Sequence, residues 1–186
     1  PYWRDVGTLD AYWEANMDII RENSGIAPEE WEIRPNPEYG GRPMDRAPAR
    51  FQSGSKVSAS LVSAGCVIEG TVINSVLSPG VWVKKGAVVS NSVLFEDCVL
   101  EEEAKVDLAI LDKRVLVGKG AVVGQGDNLT EVNKAYPKHL YTGISLVGKE
   151  ARIPAEVRIG RNCIVNYGYN KDNFNGKNFL ADGESA

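Results

Sequence analysis

The chain repeats itself every 17 residues. Leu77, Leu94 and Leu111 recur at that interval, as do Val83, Leu100 and Val117, and Val89, Val106 and Val123. The neighbouring residues follow: Ser75–Gly80 reads S-V-L-S-P-G, Ser92–Asp97 reads S-V-L-F-E-D, and Ala109–Arg114 reads A-I-L-D-K-R. A copy shortened to 15 residues precedes them, starting at Ser60-Leu61-Val62. After an interruption the pattern resumes as a hexad at Val147, Ile153, Ile159 and Val165. Fixed self-similarity of this kind marks a solenoid, because one repeat can close its apolar core only against the next.

Each unit divides into strides of 6, 6 and 5 between aliphatics, from Leu77 to Val83 to Val89 to Leu94. Three short strands per turn make a triangular prism, with one aliphatic per stride pointing inward. Gly80, Gly86, Gly118, Gly120 and Gly124 fall near the corners, where a left-handed backbone is cheapest for glycine. A sandwich of short antiparallel strands is the competing architecture, but it has no reason to keep a constant stride. The period does not fix the hand of the coil. Parallel crossovers are normally right-handed, whereas the hexad resembles the left-handed parallel β-helix, the known exception. The expected fold is therefore mainly β, a left-handed three-sided β-helix over residues 57–169.

The flanks read differently. Residues 8–21 predict a helix with Thr8 as N-cap, Asp10 in the first turn, and Leu9, Tyr12, Trp13, Met17 and Ile20 on one apolar face. Asn23-Ser24-Gly25 ends it and Pro28 blocks continuation. Residues 25–56 contain proline, paired glycine and several arginines, and read as an extended linker. Residues 125–146 break the rhythm and predict a loop leaving the prism. Residues 170–186, rich in Asn, Gly and Asp, predict a loosely held tail.

Composition excludes some classes. With 186 residues, a net charge of −4 and a pI near 5.2, the chain carries no electrostatic footprint of a nucleic-acid binder. No apolar run reaches the length of a membrane span. Cys66, Cys98 and Cys163 have no metal-ligand spacing. In the repeat register Cys66, Val81, Cys98 and Val115 share a column, so the first two thiols lie roughly 9–10 Å apart, too far for a disulfide. They read as inward hydrophobes of a protein in a reducing cytoplasm. The chain opens at Pro1 straight into structured-looking sequence, the expectation for a piece of a longer polypeptide.

Tyr2-Trp3-Arg4-Asp5-Val6-Gly7-Thr8, with Asp10-Ala11-Tyr12-Trp13-Glu14-Ala15-Asn16-Met17 after it, resembles the bacterial glucose-1-phosphate adenylyltransferases. The resemblance runs on through Pro48-Ala49-Arg50-Phe51, Gly65-Cys66-Val67-Ile68, Ala109-Ile110-Leu111-Asp112-Lys113, Gly143-Ile144 and Lys149–Pro154, and fades in the tail. It implies that residues 1–24 are the end of a nucleotidyltransferase domain and that the prism regulates and oligomerises. The family's glycine-rich nucleotide loop is absent from this chain, so the chain alone is not expected to catalyse. The implied reaction joins ATP and glucose 1-phosphate into ADP-glucose and pyrophosphate, in glycogen or starch synthesis, by a homotetramer or similar oligomer.

The resemblance assigns Asp5 to the Mg²⁺ that such phosphoryl chemistry needs, with Trp3 and Arg4 flanking it. The plainer reading of Asp5 is a turn cap before Thr8. The resemblance also places a cation that contacts phosphorylated regulators at Lys149. Arg152, Arg158 and Arg161 follow in the same coil, Lys113 is a weaker candidate, and Arg46 and Arg50 could reach an effector from the linker. A solvated charged face is the ordinary alternative for all of them. His139 is the single histidine. A free-standing hexapeptide acyltransferase would use such a residue as general base, whereas a zinc site of three histidines is excluded by count.

Overall fold

In a computed structural model, which describes residues 2–26, the backbone of 38–39 and 42–43, and residues 46–186, the repeat forms a three-sided parallel coil. Three sheets of six, seven and six parallel strands make its faces. Face one runs from Arg50–Phe51 through Trp82–Val83 to Arg152–Ile153. Face two runs from Lys56–Ser58 through Val88–Ser90 to Phe179–Leu180. Face three runs from Leu61–Val62 through Val93–Leu94 to Ile164–Val165.

The register follows the period. Leu94 pairs with Leu77 on one side and Leu111 on the other, and Leu111 with Val147, so these residues form one interior column. Val83, Leu100, Val117 and Ile153 form the second. Val89, Val106, Val123 and Ile159 form the third. All are buried. Cys66, Cys98 and Cys163 are free and buried, as their inward register requires. Burial raises the Cys98 thiol to about 12 and the Cys163 thiol to about 11, so neither ionises near neutrality.

Corner glycines serve two needs. Gly86 has φ +75°, and a Cβ there would lie 2.0 Å from Glu103 Oε1, whose side chain folds over it from the next coil. Gly118 does not adopt the expected left-handed backbone. It is glycine because a Cβ would meet the Ala155 amide nitrogen at 2.6 Å. Elsewhere non-glycine residues take the left-handed turn, with Asn74, Asn91, Leu108 and Asn162 in one corner column.

Helix α1 spans Leu9–Asp18, capped by the Thr8 side chain, which accepts from the Ala11 amide. It stops before the expected end at residue 21; turns carry the chain to Gly25, with Asn23 and Gly25 at positive φ. Its apolar side lies on the outside of face three, where Met17 joins Val76, Val93, Ile110, Leu140 and Ile144 in a second core. The Trp13 indole donates to the Asn91 carbonyl at 2.9 Å.

Part of the expected linker lies outside the described residues. Where its backbone is described, Glu38–Tyr39 pairs antiparallel with Arg42–Pro43. The coil already begins at Arg50–Phe51, which pairs with Val67–Ile68. Residues 125–144 do leave the prism, but they are pinned to it. Asn133 and Asn162 are fully buried, and the Asn162 side chain accepts from the Gly143 amide and donates to the Glu131 carbonyl.

The expectation of a loose tail is wrong. Asn170 caps a short helix α2 (Lys171–Phe174), Phe179–Leu180 adds a strand to face two, and Ser185 bridges Ile164. Phe174 and Leu180 are buried in the main core and Ala186 packs against it. The segment closes the end of the prism.

Candidate functional site

Two places gather the residues singled out from sequence. The first is the segment before α1. Trp3 is 83% exposed and joins no core within this chain, and Asp5 is exposed as well. Asp5 Oδ1 accepts from the Gly7 amide at 3.0 Å, the turn cap anticipated for it, and its second oxygen is left for another partner. A Cβ on Gly7 would sit 3.3 Å from that carboxylate, so glycine leaves it room. One free carboxylate oxygen suits Mg²⁺ as a single hard ligand, with the remaining ligands coming from elsewhere. Among the described residues no group of three or more His, Cys, Asp or Glu could hold a metal. Arg4 turns the other way: its guanidinium pairs with Asp18 at 2.7 Å. Its position is structural rather than beside Asp5.

The second place is the corner between faces three and one. Backbone bonds stack its turns: Arg114 N–H to the Glu96 carbonyl at 2.8 Å, Glu150 N–H to Lys113 at 2.9 Å, and Gly168 N–H to Lys149 at 2.9 Å. Glu96, Lys113 and Lys149 thus occupy one column, and Asp97, Arg114 and Glu150 the next. Lys113 lies 3.9 Å from Glu96, and Arg114 pairs with Glu150, which also accepts from the Tyr167 hydroxyl at 3.0 Å. Arg114 chiefly holds the Glu150 carboxyl below its usual range. Lys149 makes no salt bridge or hydrogen bond through its ammonium to another described residue. An apolar cavity of about 410 Å³ opens beside this corner, lined by Leu9, Tyr12, Phe95, Ile110, Leu146 and Ile164, with Asp112 and Gly148 at its edge. Lys113 and Lys149 follow Asp112 and Gly148 in the chain but do not line the cavity, whose other wall is the first turn of α1.

The remaining candidates do not converge there. Arg46 lies across Gly65 and Gly80 at the same corner, but its guanidinium grips Asp97 in two bonds of 2.6 and 3.0 Å. Arg50 and Arg152 stand at opposite ends of the outer column of face one, five rungs and so roughly 24 Å apart. Arg158 is exposed on face two. Arg161 is buried: it donates to the Gly126 and Asp107 carbonyls and pairs with Asp107 Oδ2 at 2.6 Å. It ties the excursion loop to the prism and is not open to an anion. His139 is exposed in that loop, its amide bonded to the Tyr136 carbonyl. The sequence reading missed Phe95, Asp112 and Tyr167 at the cavity. Their signal was the repeat register, which places them beside Lys113 and Lys149.

The model of the GlmU-like C-terminal hexapeptide family matches residues 47–147, more than half of the chain. The chain belongs to the GlmU-like hexapeptide-repeat family. Curated proteins named glucose-1-phosphate adenylyltransferase are similar over a longer stretch. That of Acetivibrio thermocellus is 40% identical over 167 residues, 88% of this chain and 37% of the relative. That of Thermomicrobium roseum is 44% identical over 165 residues, again 88% and 37%. That of Pseudothermotoga lettingae is 34% identical over 176 residues, 93% and 40%. The chain spans well under half the length of these relatives and matches their C-terminal part. Among the described residues of this hexapeptide-repeat chain, no helix is long and apolar enough to cross a membrane.

Proposed function

We propose that this chain is the C-terminal part of a cytoplasmic glucose-1-phosphate adenylyltransferase, converting ATP and glucose 1-phosphate to ADP-glucose and pyrophosphate. The observation that carries the reading is the reach of the similarity. It extends well past the hexapeptide stretch, to 93% of the chain in one relative. A shared prism alone would not require that.

In this reading the chain has three tasks. Asp5 offers one carboxylate oxygen to Mg²⁺, which when bound offsets charge on the phosphates. Trp3, exposed on the same segment, supplies an aromatic wall. The prism holds that segment by way of α1 and joins subunits into an oligomer, for which a tetramer is the expectation. A phosphorylated metabolite bound at Lys149 and Lys113 would act on the neighbouring cavity, one wall of which is Leu9 and Tyr12. An effector acts only through different affinities for two states, and this cavity is space into which α1 can shift.

The test uses the full-length polypeptide that contains this chain. Pyrophosphate release should require ATP, glucose 1-phosphate and Mg²⁺ together, and Lys149→Ala should chiefly raise the concentration of fructose 1,6-bisphosphate or another activating anion needed for half-activation. No pyrophosphate release, with acyl transfer from acetyl-CoA instead, would replace this reading by the acyltransferase one.

A further inference from the structure

Asp18 is the last residue of α1 and is only 5% exposed. A carboxylate there faces the negative end of the helix dipole, and the last turn contains no basic residue to offset it. Arg21, three residues on, offsets part of that cost, and the other contacts of Asp18 reach back to the segment before the helix. Oδ2 accepts from the Tyr2 hydroxyl at 2.8 Å and pairs with Arg4 at 2.7 Å, while Oδ1 pairs with Arg21 at 3.1 Å. Burial would raise this carboxyl, but the Tyr2 hydroxyl and the two guanidinium groups outweigh it and hold it below its ordinary value.

Tyr2 and Arg4, two residues apart, both turn to Asp18. Trp3 and Asp5 face solvent. This is the alternation of a segment gripped along one side. At its far end the Thr8 cap fixes the chain to the first turn of α1, so the helix holds residues 2–8 at both of its ends.

We infer that Asp18 is a positioning residue: by holding Tyr2 and Arg4 it presents Trp3 and Asp5 together on the opposite side, toward the substrates. This rests on the reading of Asp5 as a metal ligand given above. Asp18 touches neither substrate nor metal and acts only through the segment.

The experiment compares Asp18→Asn, Tyr2→Phe and Asp5→Asn in the full-length protein. It measures amide hydrogen exchange of residues 2–8, the Mg²⁺ concentration for half-maximal rate, and the melting of the prism. Asp18→Asn should speed exchange in 2–8 by roughly tenfold or more, the scale set by losing charged hydrogen bonds. It should raise the Mg²⁺ requirement with it and leave the melting of the prism in place. Tyr2→Phe should move both readouts the same way by less. Unchanged exchange in a folded Asp18→Asn protein overturns the inference, and so does faster exchange with an unshifted Mg²⁺ curve. If Asp18→Asn does not fold, Tyr2→Phe decides by the same two readouts. Asp5→Asn separates the premise: it should abolish turnover without altering exchange. Full activity in that variant would sink the reading of Asp5 whatever Asp18 does.

Discussion

The two ends of the prism solve the same problem in opposite ways. At the C-terminal end the interior columns run into Phe174, Leu180 and Ala186, so the last coil is covered by the chain itself. Tyr169 meets Phe174 edge-on, ring centres 4.9 Å apart. At the N-terminal end the same columns start at Phe51 and Val57, which are 55% and 38% exposed, and the strands that carry them are the edges of their sheets. A parallel coil has no edge only where something continues or covers it. The C-terminal end is therefore an internal matter of stability, whereas among the described residues nothing covers the N-terminal end.

The closed end should give the largest loss when opened. Phe174→Ala removes a buried ring over the last coil, which puts the expected cost at about 3–5 kcal/mol. Thermal unfolding should drop, and amide protection should fall first at Ile153, Ile159 and Val165. Equal protection loss along all coils would mean that the prism melts as one block, against near-additive coil stability.

Arg161 tests a smaller brace at the same end. Replacing it with alanine strips Asp107 of its ion pair and frees the loop at Gly126, at a cost of roughly 2 kcal/mol for charged hydrogen bonds. The brace also has a pH signature. Burial would raise the Asp107 carboxyl, but Ser90, Arg161 and Asn91 together hold it below its ordinary value. A depressed carboxylate stabilises the fold above the unfolded value, near 3.9, and that contribution is lost as pH falls through the folded value. The stability gap between wild type and Arg161→Ala should therefore be full at neutral pH and shrink below about pH 4. A gap constant with pH would show that Asp107 is not the partner that matters.

The contrast between the ends also explains what the sequence made legible. The middle of the prism was readable because every coil repeats one side-chain type in one column: Leu77, Leu94 and Leu111 name the fold by themselves. The cap was unreadable by the same rule, since it abandons the stride. From Ile159 to its partner Leu180 the chain spends 21 residues, making a helix on the way. One trace survived, the six-residue step from Leu180 to Ala186. The site was half legible. Asp5 and Lys149 were marked by family resemblance; Asp5 lies exposed and Lys149 half-buried. The arginines were read as one cationic group because they are close in sequence, but a coil turns neighbours onto different faces. Arg152 and Arg158 point out of different faces, and Arg161 points inward to Asp107.

The open end gives the smallest change in stability per site and the sharpest test of assembly. Phe51 and Val57 are already more than a third exposed, so replacing both with lysine gives up only part of their burial, about 1 kcal/mol of unfolding free energy per site. If the end is a subunit surface, the double variant should nevertheless lose association, visible as a fall in sedimentation coefficient at unchanged circular dichroism. The closed C-terminal end adds a constraint. With one end capped, end-to-end contact joins open end to open end, an isologous arrangement that stops at two and cannot grow into a filament. Larger assemblies then need a second contact outside this end. A double variant that sediments as wild type would assign assembly to another surface. The outer column of face one, where Val67, Trp82, Val99 and Leu116 lie in register, would be the next to test by Trp82→Glu.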